Sequence, residues 1–272
     1  VRLTGSGLGC PTWPECTDGS IRPVITQAED QLHAWIEFGN RLIAWLILIL
    51  ALAALIYVVK KLKNRSDFKR LRLLVVLQIL GFLGQVVLGG ITVLTKLNPI
   101  SVSAHFVLTL PLIAGALALR HRVLDRPVVS LKPITRQLTI TVTALTFIVL
   151  LFGVLVTGTG PHAGDAQAKR YPFNFQSISI LHADSVIALI CLTIALYLVV
   201  KVSENSNINK VFGRLILVFL AVCIGQGAIG YGQYLTGLPE LLVGFHLLGA
   251  TLVWISAWRI NLTGRTSEKV AK

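Results

Sequence analysis

Seven stretches of the chain carry no Asp, Glu, Lys or Arg: residues 42–59, 73–95, 98–119, 137–164, 185–200, 215–239 and 241–258. Each is apolar along its whole length, without the alternation of a half-buried strand or the single apolar stripe of a surface helix. A helix needs about 20 residues to cross about 30 Å of hydrocarbon. The shorter runs must therefore extend into their flanks, and the run at 185–200 is expected to begin near Ser177. The pattern predicts an all-α polytopic membrane protein.

Composition agrees, with 54% hydrophobic and 14% charged residues and a mean hydropathy of +0.74. A formal charge of +13 could suggest nucleic acid, but the charges cluster between the apolar runs and form no basic groove interleaved with aromatics. Their distribution is topological. Of the 25 Lys and Arg residues, 19 fall in four segments, 60–72, 120–136, 201–214 and 259–272. The alternate segments hold only Arg2, Arg22, Arg41, Lys96, Lys169 and Arg170. The positive-inside rule places the first group, and the carboxyl terminus, in the cytoplasm, and the amino-terminal segment outside.

The sequence also repeats itself. Gly84-Gln85 precedes His105 by the same interval that separates Gly225-Gln226 from His246, with Leu97-Asn98-Pro99 or Gly237-Leu238-Pro239 between. Each copy reads as a Gly-rich helix, a short outer turn and a helix with a histidine near its start. Leu3-Thr4-Gly5-Ser6-Gly7 likewise matches Val156-Thr157-Gly158-Thr159-Gly160, which ends the 137–164 run. The first copy is therefore expected to lack its opening helix. No signal peptide is legible, and the chain opens on Val1 rather than Met. The expectation is seven visible helices of eight, arranged as two pseudo-symmetric four-helix bundles with halves at 1–135 and 136–272.

Six histidines divide into two groups. His33, His121 and His162 lie in or near loops; His121, between Arg120 and Arg122, reads as a solvated group, while His33 and His162 face the outside. His105, His182 and His246 lie in the first turns of helices that all enter from the outer face. An imidazole inside an apolar span is costly unless paired or ligated, so these three are candidate metal ligands. No two sit at i and i+4 and no cysteine or carboxylate cluster joins them, which argues against zinc. Haem fits better, since imidazoles from facing helices can approach one porphyrin iron from opposite sides. The glycines at 81, 84, 89, 90, 225, 227, 230 and 232 would let a flat macrocycle come close, although small residues also serve plain helix packing.

Glu37 stands at the outer start of the first helix in Ile36-Glu37-Phe38-Gly39-Asn40-Arg41. Glu37 and Arg41 share a helix face, so the carboxylate is either one half of an interfacial ion pair or a proton shuttle. In the second case Arg41 is free to pair with a haem propionate. Cys10 and Cys16 flank Pro11-Thr12-Trp13-Pro14-Glu15 on the oxidising side, where they form a disulfide or remain a redox-active thiol pair. Cys191 and Cys223 fall within spans and read as small apolar residues.

Taken together, the Gly-Cys-Pro-Thr-Trp-Pro-Glu-Cys loop, the Glu37-Phe38-Gly39-Asn40-Arg41 helix start and the histidines at 105, 182 and 246 resemble haem A synthase of the bacterial and mitochondrial type, over nearly the whole chain. The resemblance implies eight helices in two similar halves and an oxidoreductase that converts the methyl group of haem O to the formyl group of haem A for terminal cytochrome oxidase assembly. It implies haem b between His182 and His246 in the carboxyl-terminal half. The amino-terminal half would receive haem O at His105, with Glu37 as the essential glutamate, Asn40 and Arg41 at the cofactor, and Cys10 paired with Cys16. Many members read Glu-x-x-His-Arg where this chain has Asn40, which suggests the branch with Asn there and a substrate site held by His105 alone. Expected surroundings are the lipid of a bacterial plasma membrane, with haem O synthase and the oxidase assembly machinery as functional partners, no nucleic acid, and self-association left open. A b-type cytochrome subunit and a haem transporter or chaperone are the rival classes. Neither accounts for the cysteine loop together with Glu37.

Overall fold

The structure, a computed structural model, describes residues 1–24, 31–162, 164–165 and 167–266. Seven helices dominate it: α1 Gln31–Lys61, α2 Phe68–Leu94, α3 Pro99–Val123, α4 Pro133–Thr159, α5 Phe175–Ser203, α6 Ser206–Leu235 and α7 Glu240–Thr263. All seven are long and apolar enough to cross a bilayer, so the chain is a multi-pass α-helical membrane protein. Their outward residues are leucine, isoleucine and valine in quantity, as expected where lipid rather than water is the solvent.

The helices outrun the charge-free stretches. α1 begins at Gln31, because Glu37 and Arg41 neutralise each other and need not interrupt it. α5 begins at Phe175, close to the expected Ser177, and α6 takes in Lys210 and Arg214 at its basic end. α4 stops at Thr159, short of the charge-free run, where Gly160 and Pro161 end regular hydrogen bonding. Lys269 and Lys272 of the basic tail lie outside the described residues.

The chain divides into two compact units, one of residues 1–119 with 154–175, the other of residues 120–153 with 176–272. In the first, α1 packs on α2 and the amino-terminal segment folds against residues 154–175. The Arg2 guanidinium donates to the carbonyls of His162 (2.7 Å) and Thr157 (3.0 Å), Gly7 N–H to Gly164 O (2.8 Å), and Tyr171 Oη to Ser103 Oγ (2.9 Å). Burial, with Arg170 adding repulsion, pushes Arg2 down to about 10.

The second unit holds the larger core, with Leu196, Val200, Phe212, Ile216 and Phe219 all fully enclosed. Along α4, Thr139, Thr143 and Thr146 are buried and donate back to the carbonyls of Thr135, Thr139 and Val142 (2.7–2.9 Å), so hydroxyls sit in an apolar interface without unmet bonds. A two-stranded parallel sheet, β1 Val129–Leu131 and β2 Gly264–Thr266, ties the α3–α4 connection to the end of α7. Arg136 supports this junction by donating to Asn261 Oδ1 (2.8 Å), Asn261 O (3.2 Å) and Gly264 O (2.9 Å), which places a cation on the carbonyls ending α7. Arg136→Met is expected to cost about 2 kcal/mol, read as a lowered midpoint in thermal unfolding of the detergent-solubilised protein.

The α2–α3 and α6–α7 hairpins close with the same local geometry. Lys96 and Leu97 take φ of 52° and 55°, and Gly237 and Leu238 take 79° and 62°. In each turn the second of these residues donates its N–H five residues back, Leu97 to Thr92 O and Leu238 to Gln233 O.

Candidate functional site

His105, His182 and His246 each stand about two turns into α3, α5 and α7. Within the second unit, the His182 and His246 rings lie 6.4 Å apart, centre to centre, at 87°. They meet as a pair and not as a cage: among the described residues no three His, Cys, Asp or Glu side chains are placed to hold a metal ion together. Val149 O on α4 lies 3.1 Å from His182 Nδ1. A carbonyl only accepts, so Nδ1 carries the proton there and the Nε2 lone pair is left for a ligand. His246 Nδ1 is buried with no hydrogen-bond partner, and its backbone carbonyl accepts the side-chain amide of Gln226. In the first unit, His105 repeats the arrangement: Nδ1 is buried and partnerless, and Gln85 Nε2 donates to His105 O (3.0 Å) and Thr109 Oγ1 (2.7 Å).

Glu37 is only 4% exposed and sits at a hub of the cysteine loop. One carboxylate oxygen accepts Cys10 N–H (2.7 Å), the other the Arg41 guanidinium (2.8 Å). Arg41 also donates to the carbonyls of Cys10 (3.2 Å), Thr12 (3.0 Å), Pro14 (3.4 Å) and Glu15 (2.9 Å). Cys10 and Cys16 are disulfide-bonded and both are fully buried. A side chain at Gly9 would collide with the backbone of His33 and Ala34, and one at Gly90 with the Trp13 ring; glycine at those places lets the loop lie directly on α1 and α2. The four residues expected at the entrance of the first helix are thus built into one unit, with the Asn40 side chain exposed beside it.

His33 lies in the first turn of α1 and His162 in the 154–175 segment against Arg2. His121 differs from its expectation as a solvated group: it is half-buried in the last turn of α3, and its Nε2 is enclosed without a partner. The glycines also separate. Gly81 and Gly84 face Leu112 and Leu108 and serve helix packing, whereas Gly89 and Gly230 face the His105 and His246 rings. Nothing approaches a Cβ placed on Gly225, Gly227 or Gly232. Gly153, the Val149 carbonyl, and the amide roles of Gln85 and Gln226 were not drawn from the sequence, although Gln85/Gly89 and Gln226/Gly230 repeat at one helical spacing that could have exposed them.

The COX15-CtaA family of cytochrome oxidase assembly proteins has a model that matches residues 1–172, the segment carrying the cysteine loop, Glu37 and His105. The chain belongs to this family. Among curated COX15-CtaA-like relatives, the heme A synthase of Geobacillus kaustophilus is 33% identical over 105 residues, which are 39% of this chain and 30% of that protein. The heme A synthase of Shewanella oneidensis is 38% identical over 141 residues, 48% of this chain and 41% of the relative. In both cases the matched part is less than half of the relative's length. The heme A synthase of Lysinibacillus sphaericus is 26% identical over 284 residues, covering 98% of this chain and 89% of its own. No solved structure matches this COX15-CtaA member.

Proposed function

We propose that this chain is a haem A synthase, an oxidoreductase that carries the methyl group of haem O through two successive oxidations to the formyl group of haem A. The observation that carries the reading is the His182–His246 pair, in a chain of a cytochrome oxidase assembly family. Two imidazoles that share one iron, each bonded at about 2 Å with about 1.1 Å from nitrogen to ring centre, would have centres about 6.2 Å apart. The separation of 6.4 Å supports that fit, and so does the His182 tautomer that leaves Nε2 as the ligand atom. A haem b held there by His182 and His246 would supply electron transfer and not oxygen binding.

The remaining roles fall to this chain's residues. In the carboxyl-terminal half, 136–272, His182 and His246 bind and orient haem b, and Gln226 holds the helix backbone at His246. In the amino-terminal half, 1–135, His105 binds the haem O substrate through one nitrogen, with Asn40 in the place of a second ligand. Glu37 moves protons released as the methyl group is oxidised, and Arg41 and the Cys10–Cys16 loop hold it in place. The cysteine loop would face outward and the basic helix ends the cytoplasm; the support is Lys60 and Lys61, Arg120 and Arg122, and Lys201 in the last turns of α1, α3 and α5, alternate spans whose ends share one face of a bilayer. The protein would work in a bacterial plasma membrane beside haem O synthase and the oxidase it supplies.

Pigments extracted from the purified chain, co-produced with a haem O source, are expected to separate into haems B, O and A. His182→Ala and His246→Ala are each expected to remove the low-spin haem B. Haem bound but chemically unchanged would instead mark a carrier or a b-type cytochrome.

A further inference from the structure

The three histidines share a surrounding that neither the repeat nor the charge pattern disclosed. A Cβ built on Gly89, Gly153 or Gly230 would lie 3.4, 3.2 or 3.1 Å from Cε1 of His105, His182 or His246, with the two ring nitrogens at nearly equal, longer distances. In each case the Cε1 vertex of the imidazole points at a glycine of the preceding helix. Four residues before that glycine, on the same helical face, stands the group that fixes the histidine in another way: Gln85 and Gln226 donate to its backbone carbonyl, and the Val149 carbonyl accepts from its Nδ1–H. At His105 and His246 one contact holds the helix backbone and the other faces the ring; at His182 both bear on the ring.

We propose that Gly89, Gly153 and Gly230 are positioning residues that turn the imidazoles of His105, His182 and His246 so that Nε2 faces the ligand. The proposal rests on the haem reading above and deepens it. The glycines serve the imidazole directly: at Gly153 and Gly230 even a Cβ would have to push the ring, and at Gly89 a Cβ would rest against it. The required shift is a few tenths of an ångström at Gly153 and Gly230, where the Cβ distance is tightest, and close to nothing at Gly89, where 3.4 Å is ordinary contact. An order of sensitivity follows, with Gly230 and Gly153 above Gly89. His105 and His246 depend on the glycine more than their ligand chemistry would suggest, because their Nδ1 atoms have no partner to hold the ring.

The test uses the full chain purified with haem, with haem affinity and the low-spin signal as readouts alongside activity. Gly230→Ala and Gly153→Ala are expected to weaken haem b binding about tenfold and to convert part of the low-spin signal to high spin. Gly213→Ala, on α6 against Tyr197 at an unstrained 3.7 Å, is expected to behave as wild type. Gln226→Ala, which adds no bulk, is expected to lower the low-spin fraction by freeing the backbone at His246, and keeps the test open if an alanine variant fails to accumulate. Wild-type affinity and spin state in Gly153→Ala, Gly230→Ala and Gln226→Ala, while His246→Ala loses the haem, would overturn the positioning role and leave the functional reading intact. Full haem b in His246→Ala would overturn both.

Discussion

Glu37→Ala is expected to lower haem A formation by about a hundredfold or more while the low-spin haem of the other half stays bound. The carboxylate is buried at 4% exposure and makes two charge-assisted bonds, to Cys10 N–H and to Arg41, so truncation also unseats the loop. Glu37→Gln separates the two contributions. The amide oxygen can still accept from Cys10 N–H while its NH2 turns to Arg41, which keeps its four loop carbonyls and so the loop's seat, but the amide cannot take up and release a proton. Turnover in Glu37→Gln is therefore expected to fall nearly as far as in Glu37→Ala, with the protease resistance of residues 10–16 close to wild type. Full turnover in Glu37→Gln would make Glu37 a clamp for the loop and remove it from the proton path.

Arg41→Ala is expected to be the most damaging change to the cysteine loop. One guanidinium donates to four loop carbonyls and to Glu37, and its loss leaves a carboxylate of 5% side-chain exposure without its counter-charge. Breaking such a pair from one side costs about 3–5 kcal/mol where burial is complete; with Arg41 itself 20% exposed, about 2–3 kcal/mol is the expected loss. Arg41→Lys should recover little, because a single ammonium cannot reach carbonyls spread over the loop. The measurement is the rate at which dithiothreitol opens the Cys10–Cys16 bond, followed by thiol labelling. It should rise at least about tenfold in both variants, in line with a loss above about 1.4 kcal/mol. An unchanged rate would mean that Trp13 on Gly90 and the disulfide hold the loop unaided.

Spans and histidines were legible in the sequence for a common reason: lipid imposes composition. A chain crossing hydrocarbon must be apolar over a helix length, so the charge-free runs located every helix of the described chain, and an imidazole inside such a run stood out. The same logic missed helix ends. Glu37, Arg41, Asp184 and Arg214 broke the runs, but each lies within a helix, where pairing or the bilayer interface makes its charge tolerable. The β1–β2 pairing went unseen because three residues a side carry no periodicity, and only the meeting of the α3–α4 connection with the end of α7 creates it.

By itself, the sequence determined the class of molecule, the seven spans, the spacing common to His105 and His246, and the candidate set around Glu37 and the cysteine pair. Tertiary structure alone decided which groups touch: that His182 and His246 come within one ring-to-ring distance, that Val149 fixes a tautomer, that Gly153 joins the site, and that Arg41 turns toward the loop's carbonyls. Burial and composition are local properties that a sequence records residue by residue. A carbonyl's partner or the vertex of a ring against a glycine depends on how separate helices are rotated and raised against each other, and that is set by side-chain packing summed over whole interfaces.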